Sequence, residues 1–100
     1  MQTAIIIPIY NQEKYLVEAM EALLAQTSSD WIAYCVNDGS TDASASILAD
    51  YAARDARLVV ITQPNGGVSV ARNTGIEAAL ANPRVDTCCF SDPDDVVHPR

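Results

Sequence analysis

A chain of 100 residues, 49% of them apolar, has material for one buried core and no room for a second domain. Its formal net charge of −7 repels phosphate in the mean field, which excludes a surface devoted to nucleic acid or to an anionic membrane. The longest purely aliphatic run, Ala4 to Ile7, is far below the ~20 residues of a bilayer span, and no basic segment precedes it as in a signal peptide. A soluble, cytoplasmic protein is expected.

Thr3 to Ile7 is a short β-branched run closed by Pro8 and reads as a strand buried on both faces. From Glu13 to Ala25, Leu16, Ala19, Met20, Leu23 and Leu24 recur at three- and four-residue spacing, with Glu13, Lys14, Glu18 and Glu21 off that stripe. This predicts an amphipathic helix, with Asn11 as its cap. Trp31 to Val36 is the next strand, ended by Asn37, Asp38 and Gly39. A second helix starts within Ser40-Thr41-Asp42 and carries Ile47, Leu48 and Tyr51 on one side.

Leu58 to Thr62 is the third strand, followed by Pro64-Asn65-Gly66-Gly67 and a helix over Val68 to Leu80 with Ala71, Ile76, Ala79 and Leu80 facing the core. Asn82-Pro83 stops it, and Asp86 to Phe90 is the fourth strand, running into Ser91-Asp92-Pro93-Asp94-Asp95. Cys35, Cys88 and Cys89 match no zinc or disulfide spacing and are read as small apolar fillers. Strand and helix alternating with short connections predict an α/β fold, a Rossmann-like parallel sheet with helices on both faces. The ending on an acidic loop leads us to expect a truncated domain, 1–100 being its N-terminal part.

In an open parallel sheet, ligands bind beyond the carboxyl ends of the strands. Pro8-Ile9-Tyr10-Asn11, Asn37-Asp38-Gly39-Ser40, Pro64-Asn65-Gly66-Gly67 and Asp92-Pro93-Asp94-Asp95 all fall on that edge. Each alone is an ordinary turn composition; together they point to a ligand site. Asp92, Asp94 and Asp95 crowd three carboxylates into four positions, a repulsion that a hard divalent cation, Mn2+ or Mg2+, relieves. The same residues also suit a helix start, with proline near its first position and acids favoured by the dipole.

Asp38 can accept the N–H of a base such as uracil, or equally make an Asx turn or helix cap. Asn65-Gly66-Gly67 leads to a helix N-terminus whose N–H groups can meet phosphate, and Arg72 can supply the positive charge for a diphosphate or pair with a surface carboxylate. His98 is a metal or phosphate contact or an exposed residue near the chain end. No Walker loop, dinucleotide fingerprint or nucleophile elbow is present in the sequence.

The runs Ile6-Ile7-Pro8-Ile9-Tyr10-Asn11, Val36-Asn37-Asp38-Gly39-Ser40-Thr41-Asp42, Asn65-Gly66-Gly67-Val68-Ser69-Val70-Ala71-Arg72-Asn73-Thr74-Gly75 and Asp92-Pro93-Asp94-Asp95 closely resemble family 2 glycosyltransferases with the GT-A fold, over nearly the whole chain. The resemblance implies a nucleotide-diphospho-sugar donor, commonly a UDP-sugar, and transfer with inversion to an acceptor hydroxyl, as in polysaccharide or lipo-oligosaccharide synthesis. Pro8, Tyr10 and Asn11 match the nucleoside-pocket segment, and Asp38 the carboxylate that contacts the base. Asn65, Gly66, Gly67 and Arg72 match the segment closing over the donor. Asp92, Asp94 and Asp95 match the Asp-x-Asp region, which holds the ribose and the metal bound to the diphosphate.

Asn37 stands where many members carry a first Asp, and Pro93 occupies the variable position of the metal motif. No residue of the chain matches the family's catalytic base, so the saccharide or lipid-linked acceptor is expected to engage a missing half. The cut would leave a sheet edge that admits a dimer, and the longer protein is expected in the cytoplasm or peripherally at the inner face of the membrane. A nucleotidyltransferase or a non-catalytic nucleotide-binding module are the alternative readings.

Overall fold

The computed structural model describes residues 2–25 and 30–90. Four strands, β1 (Gln2–Ile9), β2 (Trp31–Asp38), β3 (Leu58–Gln63) and β4 (Val85–Phe90), alternate with three helices, α1 (Glu13–Leu24), α2 (Ser44–Arg54) and α3 (Val68–Leu80). All strand pairs are parallel and the sheet order is β3-β2-β1-β4. The chain steps outward from β1 to β3, then crosses back to place β4 on the other side of β1. Right-handed crossovers in opposite directions put their helices on opposite faces. One core therefore joins Ile7, Ile9, Ala33 and Cys35 of the sheet to Leu16, Met20 and Leu23 of α1 and Leu48 and Tyr51 of α2. The other joins Ala4, Ile6 and Tyr34 to Ala79 of α3. The expected α/β class and helix-covered parallel sheet are what the structure shows.

Several local expectations change. β1 runs through Pro8 to Ile9 instead of stopping at Ile7. Proline lacks a ladder donor, and within the described residues the last β1–β4 pair is Ile6–Phe90. Among the described residues Pro8 is paired with β2, opposite Val36. In α3 the buried stripe is Ala71, Gly75 and Ala79, four residues apart, while Leu80 is 74% exposed and Ile76 is half-buried. The reason is close approach: a Cβ on Gly75 would lie 2.5 Å from Ile6 Cγ2, so small residues, not large ones, set the contact.

Cys88 and Cys89 are exposed, not fillers: among the described residues β4 is an edge strand, and α3, which packs against it, leaves both thiols uncovered; Cys35 is buried. Burial pushes the Cys35 thiol up to about 12.

Asn11 does not cap α1 either. The N-cap position of α1 is Gln12, with no side-chain cap of its own. Asn11 instead takes a left-handed φ of 50° and turns its side chain to the other helix, where Oδ1 accepts the main-chain N–H groups of Thr41 at 2.8 Å and Asp42 at 3.3 Å. The favour is returned from the segment leading into α2. Ser40 Oγ accepts from Asn11 N–H at 3.0 Å, Ser44 Oγ from Gln12 N–H at 3.0 Å, and Asp42 Oδ2 from Glu13 N–H at 3.2 Å. The segments leading into the two helices are thus tied together, and Asp42 serves both first turns, accepting from Glu13 N–H of α1 and from Ser44 N–H of α2.

Candidate functional site

The crevice forms at the carboxyl edge of β1 and β2, beside the point where the strand order reverses between β1 and β4. A cavity of about 200 Å³ there is lined by Pro8, Ile9, Tyr10, Gln12, Asp38, Val68 and Ala71. β1 delivers Pro8 and Ile9 buried and Tyr10 47% exposed at its mouth. The first turn of α3, represented by Val68 and Ala71, closes the opposite wall. Its N-cap is Gly67 at φ 96°, with no side-chain cap, so free N–H groups of the first turn lie at the cavity wall.

Asp38 is the charged group of this cavity and is only 3% exposed. Oδ1 accepts from Gln63 Nε2 at 2.9 Å and from Gly66 N–H at 2.8 Å. Oδ2 accepts from Gly67 N–H at 2.9 Å and, weakly, from Asn65 Nδ2 at 3.4 Å. That amide gives its better bond to the Asp38 main-chain oxygen, at 3.0 Å. Burial by itself raises the Asp38 carboxyl, yet the bonds from Gln63, Gly66 and Gly67 to the ionised form prevail and hold it below the usual carboxylate range. The loop can come this close because residue 39 is glycine. At φ +73°, a Cβ there would lie 2.6 Å from Asn65 N.

Of the residues singled out in the sequence, Pro8, Tyr10 and Asp38 line one cavity, and Asn65, Gly66 and Gly67 are fastened to it through Asp38. Asn11 stands beside the cavity but spends its side chain on the main chain of Thr41 and Asp42. Arg72 lies toward β4: its guanidinium carbon is 5.8 Å from the centroid of the Phe90 ring. Its buried Nε has no hydrogen-bond partner among the described residues. Asp92, Asp94, Asp95 and His98 lie outside the described residues, and among the described residues no group of three or more His, Cys, Asp or Glu is placed to hold a metal.

Sequence reasoning missed Gln12, Val68 and Ala71 as lining residues and Gln63, Thr74 and Ser44 as supports. Only Ser44, two positions past Asp42 in a polar helix start, carried a local signal, that of a cap.

Comparison with known proteins agrees with this geometry. Glycosyltransferase EpsJ of Bacillus subtilis, described as uncharacterized, is 51% identical over 94 residues, which is 94% of this chain and 26% of that protein. The minor teichoic acid biosynthesis protein GgaB of the same species is 40% identical over 97 residues, 94% of this chain and 10% of its own length. The chain thus spans about a quarter or less of these relatives. Among solved structures, residues 1–349 of S. aureus TarS in complex with UDP superpose with a TM-score of 0.81 at 28% identity, covering 94% of this chain and 28% of that one. The sequence profile described as glycosyl transferase family 2 matches residues 4–100. With its parallel sheet, reversed crossover and carboxyl-edge crevice, the chain belongs to glycosyl transferase family 2.

Proposed function

We propose that this chain is the donor-binding part of a glycosyltransferase that takes a UDP-sugar and passes the sugar, with inversion, to an acceptor hydroxyl in the synthesis of a polysaccharide or teichoic-acid-like polymer. The observation that carries the reading is the buried, ionised carboxylate of Asp38 beside Pro8 and Tyr10 in a strand-end cavity. An ionised carboxylate presents acceptors only, so it selects a base edge that offers an N–H, as uracil does. Pro8 and Tyr10 supply flat apolar surface against the ring. The diphosphate would lie toward the first turn of α3 and the Arg72 guanidinium, where partial and full positive charge offset the acidity of the chain.

Asp92, Asp94 and Asp95 are the residues proposed to hold a divalent cation, Mn2+ or Mg2+, which would act as a Lewis acid on the leaving nucleoside diphosphate. GgaB is named for teichoic acid synthesis and TarS has been seen with UDP and with UDP-GlcNAc, which supports the polymer class and the donor class. Activation of the acceptor hydroxyl is left to residues outside this chain.

The test is calorimetric titration of the purified chain with UDP, with and without manganese. Binding that tightens with manganese, and loses that dependence in Asp94→Ala, supports the reading. A folded sample that takes up no UDP under either condition overturns it.

A further inference from the structure

The carboxylate of Asp38 has its own support, and that support is directional. Thr74 Oγ1 on α3 stands 2.6 Å from Gln63 Oε1 and 3.0 Å from the Val70 carbonyl, while Gln63 Nε2 stands 2.9 Å from Asp38 Oδ1. A glutamine amide has one donor end and one acceptor end. With Asp38 ionised, the donor end must face the carboxylate. The acceptor end then faces Thr74, whose single hydroxyl proton goes to Gln63 over the shorter distance, leaving Val70 to its helical partner. The order Thr74 to Gln63 to Asp38 is therefore fixed throughout, each group orienting the next.

The consequence lies in which lone pairs remain for a ligand. Oδ1 is filled by two short bonds, from Gln63 and Gly66. Oδ2 holds one short bond, from Gly67, and the 3.4 Å contact of Asn65, whose amide keeps its 3.0 Å bond to the main chain if that contact is given up. An incoming N–H has one inexpensive place to land.

We propose that Gln63 and Thr74 are positioning residues for base recognition: they hold the Asp38 carboxylate ionised with Oδ1 occupied, so that Oδ2 is presented to the ring N–H of a uracil-type base. This rests on the donor reading above. A base whose corresponding ring nitrogen is an acceptor, as in cytosine, meets lone pair with lone pair at Oδ2. Discrimination between the two bases therefore depends on the carboxylate staying ionised and oriented.

The experiment measures dissociation constants of UDP and CDP for the purified chain and for Thr74→Val, Thr74→Ser and Gln63→Met. Loss of one oriented hydrogen bond corresponds to about fivefold, so Thr74→Val is expected to weaken UDP about fivefold, and Gln63→Met, which bares Oδ1, about tenfold. CDP changes much less, so the UDP/CDP ratio falls. Thr74→Ser, which keeps the hydroxyl, restores the wild-type ratio. A purely structural role would weaken both nucleotides equally and leave the ratio alone, and that result overturns the proposal, as does a ratio unchanged in both Val and Met variants. A folded wild-type chain that binds no UDP sinks the donor reading and this proposal with it. Wild-type binding with an unmoved ratio in the variants sinks only this one.

Discussion

Replacing Asp38 by Asn removes a charge and inverts one hydrogen-bonding position, and the structure sets the size of the effect. Three short bonds, from Gln63, Gly66 and Gly67 at 2.8 to 2.9 Å, end on the carboxylate. Asn keeps one acceptor oxygen, best placed at Oδ1 where two donors converge. Its NH2 then confronts the Gly67 N–H, so two donors face each other in a site only 3% exposed. An unmade buried bond costs about 1–3 kcal/mol, and the bonds that survive weaken because they are no longer charge-assisted. Relief of the desolvated charge offsets part of this. A net loss of about 2–3 kcal/mol is expected, or roughly 10–20 °C in Tm for a domain of this size.

Urea denaturation at pH 7 measures it, read through Trp31, the single tryptophan of the chain, which is 3% exposed. The midpoint should fall with the slope unchanged. The pH profile supplies an independent check. A carboxyl held below its unfolded value, about 3.9, binds fewer protons folded than unfolded, so its stabilisation is present above that value. As pH falls through the folded value, this contribution is lost. Wild type should converge toward Asp38→Asn in acid, while Asp42 and Asp55, also held low, still titrate in both. An unchanged midpoint at pH 7, or an identical acid limb in the two proteins, would refute the assignment of Asp38 as the fastening point of the loop.

Gly75→Ala gains about 1 kcal/mol of helix propensity, but its Cβ would meet Ile6 Cγ2 at 2.5 Å, so a net loss of about 1–2 kcal/mol in urea unfolding is expected. Asn11→Gly retains the φ of 50° and loses the acceptor for Thr41 and Asp42, costing about 1 kcal/mol; Asn11→Ala should cost about 1 kcal/mol more, through backbone strain, in the same assay. With a thiol reagent at pH 8, Cys88 and Cys89 should react in the folded chain, and Cys35, buried with its thiol pushed up to about 12, only after denaturation.

The elements were legible because their signals are local. The three- and four-residue spacing of Leu16, Ala19, Met20 and Leu23 marks α1, and all four are buried. The α3 span of Val68 to Leu80 follows from Gly67 before it and Asn82-Pro83 after it. What the sequence concealed is long-range. The packing face of α3 is Ala71, Gly75 and Ala79; the two alanines were legible in the sequence, but the glycine between them carries no hydrophobic signal, and its close contact with Ile6 could not be read locally. Leu80 looked like core and is the most exposed large apolar side chain described. The partners of Asn11 lie about thirty positions away, so a local rule assigned it to the nearer helix. Gln63 and Thr74, eleven apart on different elements, carry no motif in common. The strand-end rule located the cavity without seeing how its walls are tied.

Those ties bear directly on binding. The loop after β1 is joined to the loop after β2 through Asn11, Ser40, Asp42 and Ser44. The loop after β2 is joined to the loop after β3 through Asp38, with Gly39 permitting the approach. Three of the four strand-end segments are therefore one body around the cavity, assembled by bonds that need no ligand. A site fixed in advance does not spend binding energy on ordering its walls. Weakening one tie should then lower nucleotide affinity as well as stability, even where the substituted residue, like Ser44 beneath Gln12, never reaches the nucleotide.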